Sequence, residues 1–193
     1  MNGARNYQDR PINSFLHCDQ SPTHKGIWSF QGIQTLTNSG EGEGGFVCCP
    51  KTNQIHQKWF VDHGLENQKA NWYKFSDKEK EEECFSNCMK VNSEAGDFIL
   101  FDSRTFHCNM VPTTKVLRVC TYICMLPADH VPEKTQTMRE LGVKNKRVSC
   151  HHPGNGFKTF AAQPQYLTDR KRFAELQEKV NDYEFDEETK LLI

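Results

Sequence analysis

Short β-compatible runs broken by turns fill the first two-thirds of the chain and confine it to a fold built from sheets. Residues 14–18, 27–36, 46–49, 88–91, 98–101 and 116–126 are strand candidates, and the last is the most hydrophobic stretch. Between the second and third, residues 38–45 hold four glycines in eight positions, which favours no regular element. Two strands around such a turn read as a hairpin. Ala95-Gly96-Asp97 reads as a further turn.

Helical patterns interrupt and then follow these strands. Residues 54–64 place Ile55, Trp59 and Phe60 on one helical face, with Gly64 as the stop. Ser76 and Glu79 form a capping-box pair for a second helix to Glu83, and the charge run 78–83 is its solvated face. Past Pro127, residues 132–141 look helical and 149–156 form a loop. Residues 168–181 read as an amphipathic helix, with Thr168 as N-cap and Phe173, Leu176 and Val180 on one face. Strands first and helices afterwards point to a mainly β sandwich or double-sheet barrel with helices outside. The expected organisation is a core over 1–130, with a helical insert at about 54–85, and a helical and loop extension over 131–193 packed on it.

Composition narrows the function classes. With 193 residues and 36% hydrophobic content the chain can bury a core, and its net charge of −1 lacks the basic excess of a nucleic-acid or acidic-membrane binder. No apolar run nears the roughly 20 residues that span a bilayer. Residues 1–10 lack the apolar centre of a signal peptide, so a cytoplasmic, reducing setting is expected. Nine cysteines is an odd count, and Cys48, Cys49, Cys84 and Cys88 are poorly spaced for structural zinc. Most, Cys120 and Cys124 included, read as small buried hydrophobes.

The chemistry concentrates at His17-Cys18-Asp19 and His107. Residues two apart in a strand share a face, so His17 and Asp19 can present an imidazole and a carboxylate together. With His107 they make two histidines and one carboxylate, a set that leaves coordination positions open on ferrous iron. A His-x-Asp alone is weak, since a surface His and Asp near a turn is the plainer alternative. Arg118 adds weight. It lies eleven residues beyond His107 in an apolar stretch, where a buried guanidinium needs a partner. Either it pairs with an acid on an outer face, or it forks onto the carboxylate of a bound ligand. His151 and His152 read as solvent-facing, and Trp59, Trp72 and Tyr73 as packing residues.

Several segments together carry a resemblance. Residues 96–109, GDFILFDSRTFHCN, look like the distal-histidine region of the phytanoyl-CoA dioxygenase family, and His17-Cys18-Asp19-Gln20 resembles its proximal iron motif. The strand 44–50 resembles the family's apolar strand, without its Gly-Ser-His ending, and residues 118–127 resemble its arginine strand. Cys150-His151-His152-Pro153 resembles a late loop of some members, so the likeness spans about residues 11–155. The resemblance implies a double-stranded β-helix, a jelly-roll or cupin-like fold with flanking helices. It implies iron held by His17, Asp19 and His107, and 2-oxoglutarate held by Arg118 with help from Asn109 and Gln34. It also implies oxygen as co-substrate and hydroxylation of a small organic molecule, since halogenating relatives replace the carboxylate that Asp19 supplies. Sixteen residues precede His17, far fewer than in the family, so the jelly roll is expected to lack its N-terminal part. An open sheet edge would then invite self-association. A metal-binding scaffold without catalysis and a cupin-like enzyme without co-substrate are the competing expectations.

Overall fold

The computed structural model describes residues 15–154 and 158–160, and besides these Glu175, Glu178, Lys179, Glu184 and Asp186. The expected helix over 168–181 lies outside the described residues, save Glu175, Glu178 and Lys179, which are helical. The chain divides into two compact units, Met1–Met125 and Leu126–Ile193.

The first unit is mainly β. It contains β1 (His17–Cys18), β2 (Phe30–Thr35), β3 (Gly45–Cys48), α1 (Thr52–Asp62), β4 (Tyr73–Lys74), β5 (Met89–Lys90), β6 (Phe98–Asp102), β7 (His107–Met110) and β8 (Cys120–Met125). These form a five-stranded sheet, β4-β1-β7-β3-β5, and a three-stranded sheet, β6-β2-β8. Every pairing in both is antiparallel. Phe46 of β3 meets Phe101 of β6 at 4.5 Å between ring centroids, which brings the inner faces of the two sheets together.

The expected hairpin across the glycine run does not form. β2 pairs with β6 and β8, whereas β3 pairs with β5 and β7, so residues 36–44 cross from one sheet to the other. Non-local partners win because each offers a full inner face to pair beside. The buried Lys90 fixes the crossing by donating from Nζ to the carbonyls of Ser39 and Gly40 and to Asn92 Oδ1. Gly45 is required there, since a Cβ would lie 2.5 Å from Ser39 Oγ and 2.6 Å from Lys90 Cε.

Strand alternation sorts β2 into two faces. Gln31, Ile33 and Thr35 are buried, while Phe30 is exposed on the face opposite. That outer face also carries Phe98, Leu100, Ile123 and Met125, all exposed, so the most apolar segment of the sequence lies largely at the surface. Cys120 and Cys124, which pair with Thr35 and Gln31 on the other face, are half-buried rather than buried.

Helix α1 begins two residues before its expected start, and its buried face is Thr52, His56, Trp59 and Phe60. Ile55 is turned outward, and His56 takes its expected place inside. The helix packs Trp59 and Phe60 onto Phe75, Phe85 and Phe106 in one aromatic core. The capping pair at Ser76 is present, with Glu79 Oε2 accepting from Ser76 Oγ at 2.7 Å. Two short 3-10 turns follow it, Glu79–Glu81 and Glu83–Phe85, rather than an α-helix. Cys49 and Cys88 form a disulfide across a separation of 39 residues, a correction to the expectation of reduced cysteines.

The second unit contains α2 (Glu133–Lys144) and a small hairpin of β9 (Val148–Ser149) and β10 (Thr159–Phe160). No helix among the described residues is long and apolar enough to cross a membrane.

Candidate metal centre

Strand pairing brings the two histidines together. His17 in β1 and His107 in β7 are direct cross-strand partners, with ring centroids 4.3 Å apart. Each ring is set by its own local backbone. His17 Nδ1 donates to Phe15 O at 2.7 Å, and His107 Nδ1 donates to Thr105 O at 2.8 Å. A carbonyl can only accept, so both protons sit on Nδ1 and both Nε2 atoms carry a lone pair in the neutral state.

Those lone pairs converge on one oxygen. Asp19 Oδ2 lies 3.5 Å from His17 Nε2 and 3.4 Å from His107 Nε2, and all three residues are buried. In that neutral state two imidazole nitrogens and a carboxylate face one another as three acceptors with no proton to share. Such a set suits a cation, and each imidazole already has the backbone partner that metal-binding histidines use to fix tautomer and orientation. His17, Asp19 and His107 form a group whose ligand atoms all lie within 4.8 Å of one another.

Asp19 is held from two sides. Its backbone N–H donates to Ser103 O at 3.3 Å, and Gln31 Nε2 donates to its Oδ2 at 2.8 Å. The loop behind it is locked by Gln20. The Gln20 amide donates to Gly26 O at 2.8 Å, and its Oε1 accepts from Trp28 N at 3.0 Å and Ser103 Oγ at 2.8 Å. The Gln20 carbonyl accepts from His56 Nε2 at 3.0 Å, and burial holds the His56 imidazole below its usual protonation range. Cys18 and Cys108 alternate away from the site. Burial raises both thiols, Cys108 to about 12, so they remain protonated.

The other expected residues fall into place unevenly. His107 and Asn109 share a face of β7, and Asn109 Oδ1 accepts from Arg118 Nη1 at 3.3 Å. Arg118 precedes β8 rather than lying within it, and its Nε is buried without a hydrogen-bond partner. Among the described residues it forms no ion pair, which removes the outer-face acid as its explanation. Gln34 sits elsewhere. It shares the outer face of β2 with Phe30 and donates to Gly96 O at 3.0 Å, so the residue that β2 turns toward Asp19 is Gln31. Strand phase alone could have found Gln31, had the inner face of β2 been assigned.

Aromatic rings wall the centre. Phe101 lies 4.8 Å and Phe46 5.7 Å from the His107 ring. On the other side, Phe15 packs 4.9 Å from His17 and 5.7 Å from Trp72, and both are partly exposed. Trp59 is core, and Tyr73 donates to Glu79 Oε1 at 2.7 Å. In the second unit His151 is exposed and His152 half-buried, with rings 4.4 Å apart.

No protein-family model matches the chain, and no solved structure matches it. It is similar to Ava biosynthesis cluster protein O of Aspergillus versicolor, at 23% identity over 146 residues, covering 71% of this chain and 47% of the relative. The chain thus spans about half the length of the curated relative it matches.

Proposed function

We propose that the chain is a non-haem iron(II) and 2-oxoglutarate dependent dioxygenase that hydroxylates a small organic substrate. The observation that carries this reading is the convergence of His17 Nε2, His107 Nε2 and Asp19 Oδ2, with both Nδ1 protons committed to backbone carbonyls. Two imidazoles and one carboxylate fit ferrous iron and leave positions for further ligands. The arrangement of strands supports a double-stranded β-helix: successive strands β1, β2 and β3 alternate between two facing antiparallel sheets, as do β6, β7 and β8.

With iron, 2-oxoglutarate and oxygen bound, the centre would insert one oxygen atom into a substrate C–H bond and the other into succinate, releasing carbon dioxide. The protein's own part is positional. His17 and His107 offer neutral lone pairs, and Asp19 offsets charge through one oxygen. Arg118 carries an unpartnered Nε beside Asn109, a planar donor set suited to the far carboxylate of a dicarboxylate co-substrate. Phe46 and Phe101 exclude water on the His107 side. The relative's name as a biosynthesis cluster protein is compatible with a small-molecule substrate.

A specific observation favours one alternative, a metal-binding scaffold that self-associates. The outer face of β6-β2-β8 exposes Phe30, Phe98, Leu100, Ile123 and Met125 together. Release of succinate from 2-oxoglutarate under air, dependent on added ferrous iron, separates the two. The dioxygenase reading expects succinate even without substrate, through uncoupled turnover. Tight metal binding with no 2-oxoglutarate affinity selects the scaffold.

A further inference from the structure

Asp19 can bind a metal through one oxygen or through both, and the choice decides how many coordination positions stay open. Gln31 bears on that choice. It lies mid-strand in β2, in register with Phe101 on one side and Cys124 on the other, so its backbone is fixed by both neighbouring strands. Its side chain is buried and reaches across to the other sheet, where Nε2 donates to Asp19 Oδ2 at 2.8 Å. The amide orientation follows from chemistry: an ionised carboxylate only accepts, so Gln31 must present its N–H to it. That orientation leaves Gln31 Oε1 buried without a donor. A buried acceptor left unpaired is costly, so the bond to Asp19 is held against an opposing penalty.

The oxygen that Gln31 holds is the one facing both histidine nitrogens. We propose that Gln31 is a positioning residue that presents Asp19 to the metal through Oδ2 alone, and so keeps a coordination position open for co-substrate. This rests on the metal-centre reading above and adds a residue to it. A carboxylate tethered at one oxygen cannot swing its plane to chelate with both. Loss of the tether removes that restraint on Oδ2 and lowers affinity, as removal of partners behind metal ligands commonly does by about 10–100-fold.

Cobalt(II) tests this without any turnover. Wild-type protein titrated with Co(II) should give a visible ligand-field spectrum, and Gln31→Met, which keeps length but has no donor, should bind about 10–100-fold more weakly with a changed band shape. Equal affinity and an identical spectrum would overturn the role of Gln31 while leaving the metal centre standing. Failure of the wild type to bind Co(II) would overturn both. Should Gln31→Met not fold, the wild type still decides. In a 15N-labelled sample, the Gln31 carboxamide protons, assigned through their own backbone, should exchange slowly with solvent and shift when Zn(II) is added. Fast exchange or no shift with Zn(II) bound would reject the tether.

Discussion

His17 and His107 face each other across one antiparallel pair, and both aim Nε2 at Asp19 Oδ2. Because β1 and β7 lie side by side in the five-stranded sheet, while Asp19 is bonded through Gln31 to the three-stranded one, the centre joins both sheets.

Metal should therefore stabilise the fold. A ligand that binds only the native state, at about 100 times its dissociation constant, adds about 2.7 kcal/mol. Thermal unfolding with and without Co(II) should show this gain for the wild type and none for His107→Ala. The metal-free variant should unfold near the metal-free wild type, since the substitution removes one of three converging acceptors. An equal Co(II) gain in both proteins would count against His107 as a ligand.

Arg118 should matter for co-substrate and not for metal. Charge-assisted hydrogen bonds contribute about 1.5–3 kcal/mol, so Arg118→Ala should weaken 2-oxoglutarate binding by about 10–100-fold at unchanged Co(II) affinity. Arg118→Lys should restore little, because an ammonium lacks the planar fork. Calorimetry measures both, with Co(II) titrated into the metal-free protein and 2-oxoglutarate into the Co(II)-loaded one, and a lysine variant with full affinity would contradict the bidentate role.

The Cys49–Cys88 disulfide closes a loop across a separation of 39 residues. Loop-closure entropy for that length gives about 4 kcal/mol, within a measured range of about 2–5. Cys88→Ser, or the wild type under reductant, should lose stability on that scale in urea. A variant as stable as the oxidised wild type would show that the bond constrains nothing.

The His63–Glu82 pair at the surface should add a pH-dependent increment. Desolvation opposes protonation of His63. The bonds from Nδ1 to Trp59 O at 2.7 Å and from Nε2 to Glu82 Oε1 at 2.8 Å, with the charges of Glu82 and Glu79, outweigh it and raise the group above 6.5. A raised folded-state value favours the protonated fold. The increment is thus full below about pH 6.5 and is lost as pH rises through the raised value. His63 is exposed, so screening limits it to below about 1 kcal/mol. Urea midpoints measured on both sides of that range should differ in the wild type and lose this component in His63→Gln. A component that persists in the variant would assign it elsewhere.

The convergence of His17, Asp19 and His107 was legible in the sequence from spacing taken together with the family resemblance. His17 and Asp19 do share a face, and His107 does reach them, although His107 opens a strand where only a preceding one was expected. The hairpin across residues 38–45 failed because strand partners are chosen by whole-face burial far along the chain, which local turn chemistry cannot report. Gln34 was the residue of β2 singled out in the sequence, whereas β2 turns Gln31 toward Asp19, because a strand's phase depends on which face finds a core. The capping box at Ser76 was readable, but the propagation of its helix was not. Disulfide connectivity cannot be deduced from cysteine positions, and Cys49–Cys88 was no exception.

Anaerobic addition of ferrous iron and 2-oxoglutarate to the full chain, followed by visible absorption, tests iron and co-substrate binding together. A charge-transfer band should appear that needs both additions and is absent in His107→Ala and Arg118→Ala. No band from folded wild-type protein that nonetheless binds Co(II) would contradict the dioxygenase reading and leave a metal site without the co-substrate.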